Sequence, residues 1–230
     1  MRRYIMSRIA VGGAVALATL GTTLGTQLPS SGAAVNTCFG HAATIVGTSG
    51  DDTLKGTKGA DVIVGLAGND TINGGGGQDF ICGDDGNDTI KGGVGADHLS
   101  GSMGADRLVG NMGNDVLRGG AFDDVLKGGK KGDKLSGGAG SDSITGSRGA
   151  DRIAGGADND VLMAGKGNDQ LFGSVGNDSL IAGVGADHLS AGAGDDSLNA
   201  LDGVADDILR GAAGTDTCTA DLGDDVTGCP

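Results

Sequence analysis

Residues 47–82 read GTSGDDTLK, GTKGADVIV, GLAGNDTIN and GGGGQDFIC: four nine-residue units, each with Gly first and fourth, Asp sixth and an aliphatic eighth. The register continues without a slip to AGAGDDSLN at 191–199, making seventeen units. Their aspartates are Asp52, Asp61, Asp70, Asp79, Asp88, Asp97, Asp106, Asp115, Asp124, Asp133, Asp142, Asp151, Asp160, Asp169, Asp178, Asp187 and Asp196. Two residues after each stands a branched aliphatic, from Leu54 and Ile63 to Leu198. Self-similarity at a short fixed period marks a solenoid, in which each unit buries its apolar side against its neighbours.

Each unit has two halves. Its first six residues are rich in Gly, Ser, Asn, Ala and Asp, which suit turns and positive backbone angles. Its last three carry one aliphatic between Thr, Val, Ser, Lys or Arg, which reads as a short strand with one inward side chain. Two turn–strand units close a flattened coil of eighteen residues. The expected fold is therefore all-β, a parallel β-roll (β-solenoid). Coils stacked about 4.8 Å apart would make a rod roughly 45–50 Å long.

In such a roll Asp52, Asp70 and Asp88 lie above one another on one edge, and Asp61, Asp79 and Asp97 on the other. Carboxylates at that spacing repel unless a cation lies between them. Calcium takes six to eight oxygen ligands, which carboxylates and turn carbonyls supply, whereas transition metals favour nitrogen and sulfur. The expected cofactor is Ca2+, several ions per chain. The unbroken units offer fifteen stacked intervals. Gly is replaced at the fourth place by Phe122, Lys131 and Asp158, and Lys127, Lys130, Lys131 and Lys134 crowd the tenth unit. Calcium is therefore expected to be weak or absent around residues 119–136.

GGVGADHLS, GLAGNDTIN and GGAGSDSIT closely resemble the nonapeptide of the repeats-in-toxin (RTX) family, and the resemblance covers about residues 47–228. It implies a parallel β-roll whose turn aspartates and backbone carbonyls bind calcium while the aliphatics fill the core. Carried over by position, the ligands are the seventeen aspartates above, followed by Asp207, Asp216 and Asp225. The closing GTDTCTADLGDDVTGC is similar to the ends of secreted calcium-binding proteins of this type.

Outside the repeats the chain divides as follows. Arg2, Arg3 and Arg8 precede an apolar run and the small residues Gly32, Ala33 and Ala34, the layout of a secretory signal peptide over residues 1–34. Its removal would take three cations and no acid, moving the formal net charge from −14 to −17, and would leave no membrane span. Residues 35–46 form an N-terminal cap, 47–199 the repeats, and 200–230 degenerate repeats with a C-terminal cap. Ala200 to Arg210 holds two residues more than a unit. The four cysteines allow three disulfide pairings. Cys38–Cys82 and Cys218–Cys229, one staple at each end, is the favoured one. Zinc ligation is the rival, with no Cys-x-x-Cys pair to support it.

All thirty acidic residues are Asp, and there are fifty Gly, four Phe and no Trp. So few large apolar residues exclude an ordinary globular core. The acidic balance, with no evident basic patch, argues against nucleic acid as a partner. Only twelve residues separate the leader from the repeats, too few for a catalytic domain. Without Glu there is no His-Glu-x-x-His helix, and no Gly-x-Ser-x-Gly elbow occurs. His98 and His188 fall on strand positions expected to face solvent, and His41 has no evident partner. The function expected is secreted calcium binding coupled to folding, without catalysis. The alternative is a calcium-dependent adhesin or surface module with a cell-surface or polysaccharide partner.

Overall fold

A computed structural model describes residues 36–204 and 206–229. The expected leader lies outside the described residues. The repeats form a two-sided parallel solenoid. One sheet has ten strands, from Thr53–Lys55 to Thr217–Thr219, and the other eleven, from Ile45–Val46 to Asp225–Thr227. Consecutive strands alternate between the sheets, so each strand pairs with the one two places on in sequence. The usual offset is eighteen residues, as in Ile63↔Ile81 and Leu108↔Leu126. The coil length read from the repeat is the coil length of the fold.

The strands are longer than the three residues expected. Val62–Ala67, Thr71–Gly76 and Phe80–Asp85 each run from the seventh place of one unit to the third of the next. They turn a corner at the second place, where φ is positive: 84° at Leu66, 105° at Gly75 and 74° at Asp84. The fourth place is positive as well. Glycines there reach 99–152°, whereas Phe122, Lys131 and Asp158 sit at 79°, 74° and 75°. Side chains at the fourth place thus occupy the left-handed helical region, where L-residues are tolerated at some cost.

The eighth-position aliphatics meet in one continuous core from Ile63 to Leu209, closed at one end by Ile45 and Leu54 and at the other by Cys218 and Ala220. Most are completely buried. One apolar side chain per nine residues is a thin core, because each ordered residue carries its own entropic cost.

At the N-terminal end, Thr37–Cys38 and His41–Ala42 pair as a hairpin around Phe39 and Gly40, both at positive φ as a primed two-residue turn requires. Cys38 joins Cys82, with Cα atoms 5.8 Å apart, and the hairpin buries Val64 on the outer side of the eleven-stranded sheet. Cys218 pairs with Cys229 at the other end. The solvent-facing expectation for His98 is corrected here. It stacks at 4.9 Å on Phe80, its register partner on the neighbouring strand, and the hairpin stacks His41 on the same ring at 4.2 Å. Closing a loop with a sequence separation of 44 restricts the unfolded chain. Replacing both Cys38 and Cys82 by Ser is expected to cost about 4 kcal/mol, read by denaturant titration in calcium. A change near zero would place the hairpin outside the cooperative unit.

The two residues added after Asn199 are absorbed in the loop, and pairing resumes at an offset of twenty, His188↔Ile208 and Ser197↔Thr217. The final strand then shortens the offset to seventeen, Ile208↔Asp225. Among the described residues no helix is long and apolar enough to cross a membrane.

Candidate metal centre

The sixth-position aspartates do not fringe the edges of the roll. From Asp70 to Asp216 they point inward and are almost completely buried beside the aliphatic columns. Each sits just before a strand, and in the units that begin with glycine its side chain folds back toward that first residue.

One carboxylate oxygen of each is occupied. Asp70 Oδ1 accepts the Asp52 backbone N–H at 2.8 Å, Asp88 Oδ1 that of Asp70 at 2.8 Å, and Asp106 Oδ1 that of Asp88 at 2.7 Å. The second column repeats this, as in Asp79 to Asp61 at 2.9 Å and Asp133 to Asp115 at 2.8 Å. The ladder passes through Asp124, Asp142, Asp151 and Asp160 without a break. The units at 119–136 therefore keep the same aspartate geometry as the rest.

The other oxygen is different. Oδ2 of all seventeen aspartates from Asp70 to Asp216 is buried without a hydrogen-bond partner. A buried carboxylate oxygen in that state carries a large desolvation cost. In the units that begin with glycine it packs closely against that first residue. A methyl group on Gly65 would collide with Asp70 Oδ2 and the Gly83 carbonyl oxygen; Gly74, Gly110 and Gly119 repeat this with Asp79, Asp115 and Asp124. A carboxylate oxygen and a carbonyl oxygen from the next coil thus converge where glycine leaves room. That all-oxygen set is the donor chemistry of a hard cation such as calcium. At Ala164, Ala182 and Ala191 the first position instead carries a fully buried methyl.

The electrostatics agree. Burial raises the carboxyl pKa of Asp88, Asp97, Asp142, Asp151 and Asp207 to about 6, and of Asp106, Asp124, Asp133, Asp160 and Asp187 to about 7. The hydrogen bond from the preceding coil opposes this in every case, and neighbouring aspartates in the columns add to the rise for several of them. Asp115 is also raised by burial, opposed by the hydrogen bond from Asp97 and then by the charge of Lys131.

The ends depart from the pattern. Asp52 Oδ2 accepts the Thr48 backbone N–H at 2.6 Å and the Thr48 hydroxyl at 2.9 Å. Asp61 Oδ2 does the same with Thr57, at 2.7 and 3.0 Å. In these two the Oδ2 atom is satisfied by the chain itself, and Thr at the second place is the signal that could have found them. Asp207 and Asp216 regain the ladder across the twenty-residue offset. The position assigned to Asp225 is corrected. Asp224 accepts the Asp207 N–H at 3.2 Å, while Asp225 pairs with Ile208 one place further along and is exposed. The shortened final coil moves the stack back by one residue. In the inserted loop Asp202, Asp206 and Asp207 bring carboxylate oxygens within 4.8 Å of one another.

A second ladder was not foreseen. Fifth-position side chains accept N–H groups from the following coil, Asp51 from Asn69 at 2.7 Å, Asn69 from Asn87 at 2.9 Å and Asn177 from Asp195 at 2.9 Å. The recurrence of Asn and Asp at that place was its signature.

No curated protein matches the chain. A family model described as the RTX calcium-binding nonapeptide repeat matches eight segments that run from 46–81 to 201–226 and together take in nearly all of the solenoid. With this coverage, and with a parallel roll whose turns stack in register, the chain belongs to the RTX calcium-binding nonapeptide repeat family.

Proposed function

We propose that this protein is a secreted, non-catalytic calcium binder that holds several ions between its stacked turns and couples their binding to folding. The observation that carries this reading is the row of seventeen buried, unpartnered Oδ2 atoms. The residues that would hold calcium are the sixth-position aspartates from Asp70 to Asp196, with Asp207 and Asp216, together with first-position carbonyls of the neighbouring coil. Asp52 and Asp61 contribute at the N-terminal edge, and Asp224 takes the place given to Asp225. Bound calcium supplies the positive charge that keeps adjacent buried carboxylates ionised. The chain's own part is to fix one oxygen of each carboxylate by a backbone N–H, leave the other free, and exclude water around it.

Filling is expected to be weakest beside Lys131, whose ammonium already offsets Asp115, and where Ala164, Ala182 and Ala191 narrow the space. Export is supported by the two disulfides, which fit an oxidising compartment, and by the leader-like residues 1–34.

Equilibrium dialysis with metal analysis tests the assignment. Several calcium ions per chain are expected, undiminished by excess magnesium. Changing Asp88, Asp106 and Asp124 together to Asn should lower the count by about the sites they share, since Asn keeps the shape and loses the charge. An unchanged count would overturn the assignment.

A further inference from the structure

The charges of this acidic protein are segregated. The aspartates lie in the turns and, as Asp84, Asp85 and Asp225, on strands of the eleven-stranded sheet, whereas the ten strands from Thr53–Lys55 to Thr217–Thr219 carry no acidic residue at all. The same strands carry Lys55, Lys91, Arg107, Lys127, Lys130, Arg148 and Lys166, all exposed. The sequence-based view that no basic patch exists is corrected by this face. The cations are scattered along the chain and converge only because every second unit contributes to the same sheet.

Their arrangement is ordered. Lys130, Arg148 and Lys166 are direct register partners on successive strands. Lys91 and Lys127 flank Val109 in the same way. Like charges facing one another across adjacent strands are destabilising. A groove of about 630 Å³ lies among them, with Lys91, Arg107, Lys127, Lys130 and Arg148 around Val109 and Asn111.

We propose that this ten-stranded face binds a linear anionic polysaccharide. Cations on either side of the strand corner, three of them on successive strands about 4.8 Å apart and Lys91 and Lys127 two strands apart, suit a polymer with charge along its length better than a single small anion. Ser143, Thr145 and Asn111 offer hydrogen bonds to hydroxyl groups between the cations. The face has no Phe, Tyr, Trp or His on any of its ten strands, so nothing on it would stack nucleotide bases. The proposal does not rest on the calcium reading, because no sixth-position aspartate belongs to this surface.

The test is titration of the protein with dextran sulfate as probe, uncharged dextran as control, and a single-stranded oligonucleotide as rival, in calcium and again in chelator. Circular dichroism is recorded in each condition, so a lost fold is not mistaken for a lost site. The folded protein should bind dextran sulfate and not dextran, with an affinity that falls steeply as salt rises. The triple variant Lys130→Ser, Arg148→Ser, Lys166→Ser should weaken binding by about tenfold or more and flatten the salt dependence. Lys134→Ser, Arg152→Ser, Arg210→Ser makes the same change in net charge on the opposite sheet and should leave binding within about twofold. Equal weakening by both triples, no binding by the folded protein, or tighter binding of the oligonucleotide would each overturn the proposal. If the fold and the binding both persist in chelator, the calcium coupling fails and this proposal stands.

Discussion

Stripping calcium from the protein at pH 7.5 is expected to abolish most of its far-UV β signal, and calcium, but not magnesium, to restore it. In the calcium-free roll each ionised aspartate of the columns would keep an unpartnered oxygen in the interior, within reach of the next carboxylate. The single aliphatic per unit offers little to offset that, so metal binding becomes folding free energy. Protons offer a second way out, and the sign follows from the pKa values. These carboxyls are raised from 3.8 to about 6 or 7 in the folded chain, so the folded state takes up protons that the unfolded state releases. Their protonation stabilises the fold fully below about pH 4, and this contribution is lost as pH rises through 6–7. In chelator, β signal should therefore return as pH falls from 7.5 to 5. With calcium present the same protons compete for the same oxygens, so the calcium midpoint should move to higher concentration over that range. A rod that keeps its β signal in chelator at pH 7.5 would refute the coupling.

Gly113→Val should be among the most damaging single substitutions. Gly113 has φ 152°, and a side chain there would run into the Gly95 carbonyl oxygen of the preceding coil. Backbone in that region is essentially open to glycine alone, and here the obstacle is another main chain that stacking holds in place. A loss of about 3 kcal/mol or more is expected, visible as a fall in Tm in saturating calcium. Lys131 follows in the same column, eighteen residues on, and provides the contrast. With φ 74° it has already moved to a region that side chains can adopt. Lys131→Gly should change stability by no more than about 1 kcal/mol, since relief of strain and added chain entropy oppose one another. It should tighten calcium binding, because Asp115 loses its local counter-charge. Equal effects of the two substitutions on Tm would show that the turn angle is not what separates them.

Much of the roll was legible in the residues. The nine-residue period set an eighteen-residue coil, and the eighth-position aliphatics named the core from Ile63 to Leu198. The disulfide pairs were legible too, because Cys38 and Cys82, and Cys218 and Cys229, lie at opposite ends of the solenoid. The candidate metal centre was legible only in part. The sixth-position aspartates were evident from their repetition, yet their inward orientation and their N–H donors one coil away were not. Asp225 was misplaced because a pattern extended by counting cannot register the shortened last coil, which puts Asp224 under Asp207.

The sequence by itself determined periodicity, the identity of the core and the carboxylate chemistry, because these are local properties repeated in every unit. Only the tertiary structure decided what depends on residues eighteen or more apart coming together. It left one oxygen of each aspartate without a partner, turned His41 and His98 onto Phe80, and gathered seven scattered cations onto one sheet. The physical reason is that stacking converts equal sequence offsets into contact, so a charge or ring is paired or left alone according to its neighbour in the next coil.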